Sequence, residues 1–186
     1  ELDETITENI KIYDLNISDA LNLALEKDIY RQLCFNPSDT STTNVKTMMT
    51  GNWNQTNIHT FNDLKTIVLN TCEKKYFDYD TRKFCIDVMW GSVYRSGGYT
   101  QWHDHIGSAI SFVYFLKAPE NSSTLDMLFW GKRNGNSDKG IVRVKPKVGR
   151  LSIFPSSVKH KVDPYYRKDN RITIADTSTH LTPHTQ

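Results

Sequence analysis

Hydrophobic residues follow two different periods along this chain. In the first half they recur every three to four residues, which is the spacing of one face of an amphipathic helix. The periodic positions are Leu21, Leu25, Ile29 and Leu33 in one segment and Leu64, Ile67, Val68 and Cys72 in another. Ser18 can cap the first segment, and the second runs from Phe61 to Lys75. The pattern predicts two helices.

The segment between these helices, Asn36 to Asn57, is rich in Ser, Thr, Asn and Gly. This composition predicts a long loop with at most short strands. Loops of this length often carry function, and a lid over a binding site is one such role.

From Phe84 onward the pattern changes to short apolar runs of β type, separated by turn residues. The runs are Phe84 to Tyr94, Ile110 to Leu116, Leu125 to Trp130, Ile141 to Val144, Leu151 to Phe154, His160 to Val162 and Ile172 to Thr177. The turns between them include Gly97-Gly98, Asn134-Gly135, Lys147 to Gly149 and Lys168 to Asn170. Several short strands at this spacing indicate a sandwich or jelly roll.

The chain has 186 residues, enough for one domain with a sizeable core. We therefore expect a single, mainly β (α+β) domain, a double-stranded β-helix (a cupin-like jelly roll) supported by N-terminal helices. Its helical part covers about residues 14–80 and its jelly-roll core about residues 84–178. The polar end, Thr179 to Gln186, is expected to fray.

Composition narrows the class of protein further. The net charge is +2, and Lys and Arg are scattered along the chain. Composition therefore gives no sign of the basic surface that binds nucleic acid. No apolar run is long enough to cross a bilayer, and the first residues lack the pattern of a signal peptide. Three isolated cysteines without CxxC spacing argue against a disulfide framework or a thiolate metal site. We expect a soluble, cytoplasmic protein.

Candidate chemistry begins with His103 and His105, which flank Asp104 just before a predicted strand. Side chains alternate between faces along extended backbone, so the two imidazoles can point to the same side while Asp104 points away. Such an H-x-H pair can clamp a divalent metal, and imidazole suits Fe, Zn, Cu or Ni.

A second group of residues follows in the last third of the chain. His160 opens a predicted strand after a Phe-Pro turn, so it can face the H-x-H pair from the opposite side of a barrel. Arg171 and Thr173 share one face of the next strand, where the guanidinium can hold a carboxylate in two parallel hydrogen bonds. These residues indicate an acid-binding pocket beside a metal.

The order of these motifs resembles that of the 2-oxoglutarate- and Fe(II)-dependent oxygenases, in particular a bacterial and tailed-phage branch of small members. The resemblance covers residues 90–177, and Thr42 to Trp53 loosely resembles the branch's upstream loop. The motifs that carry it are Trp90 to Tyr94, Gly97-Gly98, the H-x-H pair, Ser111 to Leu116 with Pro119, Phe154 to Ser156, His160, and Arg171 eleven positions later.

The resemblance implies that His103, His105 and His160 hold Fe(II), which 2-oxoglutarate chelates. The far carboxylate of this cosubstrate would pair with Arg171 and Thr173, and Tyr94 or Tyr114 would supply a further hydroxyl. With dioxygen, such an enzyme hydroxylates a C–H bond and releases succinate and CO₂. The implied substrate is a protein or peptide side chain such as proline, or a small molecule, and a phage-encoded member would work in the host cytoplasm.

The sequence departs from most of the wider superfamily at His105, where a carboxylate usually completes the metal site. A halogenase is disfavoured, because those enzymes have a small residue at this position so that halide can bind. Two other functions stay open. One is a three-His cupin-type dioxygenase that does not use 2-oxoglutarate, and the other is a non-catalytic metal-binding jelly roll.

Overall fold

A computed structural model describes residues 3–5, 9–40, 44–51, 58–73, 84–133 and 136–180. The helices are α1 (Asp19–Phe35) and α2 (His59–Thr71). The strands are β1 (Asp3–Thr5), β2 (Lys11–Asp14), β3 (Val45–Lys46), β4 (Met48–Met49), β5 (Phe84–Tyr94), β6 (Gly98–His103), β7 (Ile110–Lys117), β8 (Leu125–Arg133), β9 (Asn136–Val144), β10 (Arg150–Pro155), β11 (His160–Tyr165) and β12 (Arg171–His180). Among the described residues, no helix is both long and apolar enough to cross a membrane.

The strands form two antiparallel sheets that pack face to face. The large sheet has the order β1-β2-β10-β7-β12-β5-β4, and the small sheet has the order β3-β6-β11-β8-β9. One apolar core lies between the sheets, and a second lies between the large sheet and the two helices. This arrangement confirms the predicted mainly β jelly roll with supporting helices.

Helix α1 begins where the sequence predicts it. The Ser18 hydroxyl accepts a hydrogen bond from the backbone N–H of Leu21 at 3.2 Å, which satisfies one of the free donors at the helix start. Leu25 and Ile29 are buried against the large sheet. The helix can approach closely because Gly91 has no side chain, and a Cβ there would lie 2.8 Å from Ile29 Cγ1.

Strand β7 lies at the centre of the large sheet between β10 and β12, and all of its residues from Ile110 to Leu116 are buried. Phe112 and Tyr114 belong to the core under the helices. Val113 and Phe115 belong to the core between the sheets. Because both faces are covered, the sequence of β7 shows no alternation of polar and apolar residues.

A short segment closes one edge of the sandwich. Strand β3 pairs with β6 in the small sheet and β4 pairs with β5 in the large sheet, so Val45–Met49 crosses from one sheet to the other. We call this segment the edge strap. The hydroxyl of Thr50 accepts from Gly91 N at 3.0 Å, and this hydrogen bond fixes the end of the strap to the large sheet.

All seven predicted strands are present, within a few residues of their predicted ends. Strands β1, β2 and β6 were not predicted from the sequence pattern, and the predicted loop contains the short strands β3 and β4. Helix α2 begins two residues before the predicted Phe61 and ends at Thr71. The predicted turn at residues 134–135, the predicted boundary near residue 80 and the tail 181–186 lie outside the described residues. The cysteines are free thiols.

Gly91→Ala tests the close contact between α1 and the large sheet. We expect the free energy of unfolding to fall by about 1–3 kcal/mol, because the new methyl group overlaps the Ile29 side chain. The same substitution in an Ile29→Ala background should lower the free energy of unfolding by much less, because the overlapping side chain is absent. Gly140→Ala is the control, since its Cβ would meet only Phe129 Cε1 at 3.9 Å. Urea denaturation measures both variants. An equal loss of unfolding free energy in Gly91→Ala and Gly140→Ala would contradict the close packing of Ile29 against Gly91.

Candidate active site

Three histidines converge at one end of the small sheet. His103 ends β6, His160 begins β11, and the pairing of these strands places the two residues directly opposite each other. His105 lies two residues beyond β6, where its backbone N–H donates to Ser156 O at 2.9 Å. The potential ligand atoms of the three side chains all lie within 4.8 Å of one another. The predicted cluster is thus brought together.

Backbone carbonyls orient two of these rings. His103 Nδ1 lies 2.8 Å from Gln101 O, and His160 Nδ1 lies 2.9 Å from Val158 O. A carbonyl can only accept, so Nδ1 carries the proton in both rings and Nε2 keeps a free lone pair. This is the arrangement by which proteins orient metal-binding histidines.

The charge state of the cluster also suits a cation. Burial, with a smaller contribution from the neighbouring His103, lowers the pKa of His105 to about 4. Burial likewise lowers the pKa of His160 to about 3, again with a contribution from His103. Both rings are therefore neutral at neutral pH, and neutral imidazole is the form that coordinates a metal.

Arg171 is the most unusual residue of the interior. It is 0% exposed, and none of its three guanidinium nitrogens has a hydrogen-bond partner among the described residues. Its central carbon lies 4.9 Å from the Tyr94 ring centre and 5.3 Å from that of Phe115. Burial lowers the pKa of Arg171, but guanidinium stays charged in proteins. A buried cation without partners favours an anionic ligand.

Arg171 and the three histidines line one cavity of about 140 Å³ between the sheets. Thr173 also lines it, on the same face of β12 as Arg171. Tyr94 lines the cavity as well, and its hydroxyl lies 3.0 Å from the hydroxyl of Thr100. The residues predicted to bind a metal and those predicted to bind an acid thus share one chamber.

Tyr114 is the predicted residue that the structure separates from this chamber. It lies on the opposite face of β7 from the cavity residues Ser111 and Val113, in the core under the helices. Its hydroxyl donates to Asn22 Oδ1 of α1 at 2.7 Å. The structure therefore does not bring Tyr114 together with the other predicted site residues. The fully buried sequence of β7 gave no sign of which face points inward.

Several lining residues were not predicted from the sequence. Trp90 packs its ring 5.6 Å from that of His105, and Val45 and Met49 of the edge strap also border the cavity. Trp90 and Ser92 share a face of β5 with Tyr94, so alternation from Tyr94 could have found them. No local signal links the strap to the cavity, because its position depends on pairing with distant strands.

The donors in this chamber fit a divalent metal with an acidic ligand beside it. Three converging imidazoles are suitable ligands for Fe(II) and neighbouring transition metals. The buried guanidinium supplies donors for a carboxylate in the same cavity.

Comparison with known families supports this interpretation. A family model described as "Putative 2OG-Fe(II) oxygenase" matches residues 88–176, which include β6, the three histidines, Arg171 and Thr173. No curated protein sequence matches the chain.

Solved structures share the fold at low sequence identity. A prolyl-4-hydroxylase from Pseudomonas putida has a TM-score of 0.66 and 16% identity, with 95% of each chain covered. A viral collagen prolyl hydroxylase from Paramecium bursaria Chlorella virus-1, solved with 2OG, has a TM-score of 0.64 and 14% identity over 94% of this chain and 97% of the other. A Trichoplax adhaerens prolyl hydroxylase was solved in complex with a hypoxia inducible factor peptide fragment. It has a TM-score of 0.67 and 15% identity, with 93% of this chain and 84% of the other covered.

The pKa values of the histidines predict how the stability of the metal-free protein depends on pH. Unfolded histidines titrate near pH 6.5, whereas folded His105 and His160 titrate near 4 and 3. Below about pH 6.5 the unfolded chain therefore binds more protons, so the free energy of unfolding should fall as the pH drops towards 4. Urea denaturation between pH 7.5 and 5 measures this slope. His160→Gln should flatten it, whereas exposed His59→Gln should not, and identical slopes for both variants would refute the assignment.

Arg171→Met tests the cost of the buried guanidinium. Methionine fills similar space without the charge, so we expect the free energy of unfolding of the ligand-free protein to rise by about 1–3 kcal/mol. Arg150→Met is the matched control, because Arg150 forms an ion pair with Asp14 at 2.8 Å and its loss should destabilise the protein. Thermal and urea unfolding of both variants measure the effects. A destabilised Arg171→Met would mean that the guanidinium is satisfied in the ligand-free protein.

Proposed function

We propose that this chain, whose residues 88–176 match the model of the 2OG-Fe(II) oxygenase family, hydroxylates a C–H bond of a peptide side chain, with proline as the first candidate. The enzyme uses Fe(II), 2-oxoglutarate and dioxygen. In our proposal His103, His105 and His160 bind the iron, while Arg171 and Thr173 bind the far carboxylate of 2-oxoglutarate.

The observation that carries this assignment is the buried guanidinium of Arg171, which has no hydrogen-bond partner among the described residues and lies in the same cavity as three histidines. A metal-binding jelly roll without an acidic ligand gains nothing from a buried cation, which destabilises the protein. A 2-oxoglutarate molecule offers one carboxylate for Arg171 and a second, with its keto oxygen, for the metal. The cavity thus combines the two features that this cosubstrate requires.

Each residue of the chamber has a defined part in the proposal. When bound, iron and 2-oxoglutarate would activate dioxygen, one oxygen atom of which enters the hydroxylated product and the other succinate, with release of CO₂. The carbonyls of Gln101 and Val158 hold two imidazoles in the orientation that a metal needs. The hydrogen bond between the hydroxyls of Tyr94 and Thr100 holds the Tyr94 ring against the guanidinium of Arg171.

The peptide substrate is proposed from the structural neighbours. A prolyl hydroxylase that shares this fold was solved with a peptide fragment, and two others are prolyl hydroxylases by name. The chamber itself is mostly buried, and the side chains that border it include Trp90, Val45 and Met49. These apolar residues suit an uncharged side chain such as that of proline.

An anaerobic titration of Fe(II)-loaded protein with 2-oxoglutarate tests the cosubstrate site. We expect a visible metal-to-ligand charge-transfer band, because the cosubstrate would chelate the metal. Alanine at His103 or His160 should abolish iron binding, and alanine at exposed His59 should not. Arg171→Met should leave iron binding intact and weaken the binding of 2-oxoglutarate by about 10- to 100-fold. This loss corresponds to the contribution of hydrogen bonds to a charged group. Iron-loaded protein without a band would favour a metal site that does not use 2-oxoglutarate.

A further inference from the structure

A second recess lies outside the catalytic cavity, along the seam where the edge strap crosses between the sheets. It is an open groove of about 500 Å³, which we call the edge groove. One wall is the strap itself, and the other is the turn between β5 and β6. Val45 borders both the groove and the catalytic cavity, so the two recesses are neighbours.

The edge groove is positively charged. Lys46 and Arg95 line it and are exposed, and none of its described lining residues is acidic. Within the described part of the chain neither cation has an ion-pair partner. Ser96 adds an exposed hydroxyl. Two cations and a hydroxyl donor form a site for an anion.

The backbone holds these groups in place before any ligand binds. Arg95 O accepts from Gly98 N at 2.8 Å, which closes a tight turn in which Gly97 has φ of 80°. A Cβ on Gly98 would lie 2.9 Å from Arg95 O and 3.1 Å from Lys46 O. Glycine at this position therefore lets the strap and the turn approach, and the approach brings Lys46 and Arg95 to the same groove.

The distance from the groove to the histidine cluster indicates the kind of ligand. Lys46 pairs with Tyr99, which lies four residues before His103 in β6. At about 3.3 Å per residue, the groove is roughly 13 Å from the metal end of the strand. A small metabolite with its reacting carbon in the cavity does not span that length, whereas an extended peptide covers it with about four residues.

We propose that the edge groove binds an acidic or phosphorylated side chain of the peptide substrate, about four residues from the side chain that is hydroxylated. The inference rests on the proposed function, because it names a feature of the same substrate. Lys46 and Arg95 determine substrate preference and take no part in the chemistry. Carboxylate and phosphate share the chemistry that the groove recognises, and the experiment separates them.

Calorimetric titration with three matched peptides tests the groove. Each peptide has one proline in an alanine host, with glutamate, phosphoserine or glutamine about four residues away on each side. On protein loaded anaerobically with Fe(II) and 2-oxoglutarate, we expect the anionic peptides to bind at least about fivefold more tightly than the glutamine peptide, with a preference that weakens as salt is added. The stronger of the two anionic peptides identifies the natural anion as carboxylate or phosphate.

Paired charge variants locate the effect. The double variant Lys46→Ala/Arg95→Ala should lose the preference for anionic peptides and keep the charge-transfer band, because neither residue belongs to the metal or cosubstrate site. Lys27→Ala/Lys145→Ala removes the same charge from exposed positions outside the groove and should keep the preference. Three results would overturn the proposal: equal affinity for all three peptides, equal loss in both double variants, or no binding of any peptide.

The same titrations on metal-free protein keep the two proposals apart. The groove does not include the histidines, so its preference for anions should persist without iron. A missing charge-transfer band with intact anion preference would count against the proposed function alone. A normal band without anion preference would count against the groove alone.

Discussion

The register between β6 and β11 is the constraint on which the site depends. These strands place His103 and His160 directly opposite each other, and the turn after β6 returns His105 to the same point. A slip of one residue would turn either imidazole to the other face of the sheet and destroy the cluster. The register is held by burial, since Thr100 and Val162 pair across the same strands with their side chains inside the sandwich. The packing of the core therefore positions the two histidines that we propose as metal ligands.

The fold also accommodates a charge that opposes folding. Arg171 pairs with Tyr94 across β12 and β5 and lines the cavity, where its guanidinium is shielded from bulk water. The faces of the Tyr94 and Phe115 rings compensate part of the lost hydration through cation–π attraction. The remainder must be offset by the two apolar cores. A ligand carboxylate that satisfies the guanidinium would therefore stabilise the protein as it binds, which couples cosubstrate affinity to folding.

Local patterns in the sequence predicted most of the fold and part of the site. Ser18 and the periodic leucines located α1, and the alternation of His103 with His105 predicted a clamp, because both signals lie within a few residues. The sequence could not show that Tyr114 lies away from the cavity, since β7 is buried on both faces and its sequence does not distinguish them. The strap could not be predicted either. Its two strands contain only two residues each, and their partners β6 and β5 lie about fifty residues away in sequence.

The third histidine changes the electrostatics of the chamber. A carboxylate ligand would cancel one unit of the charge of a divalent metal, whereas a neutral His105 cancels none. In our proposal the divalent metal and Arg171 together bring three positive charges to the cavity, and a dianion such as 2-oxoglutarate neutralises two of them. The buried carboxyl group of Asp176 also borders the cavity and can offset the third. A neutral third ligand is therefore compatible with a charge-balanced site, which matters in a poorly solvated space because unbalanced charge is costly there.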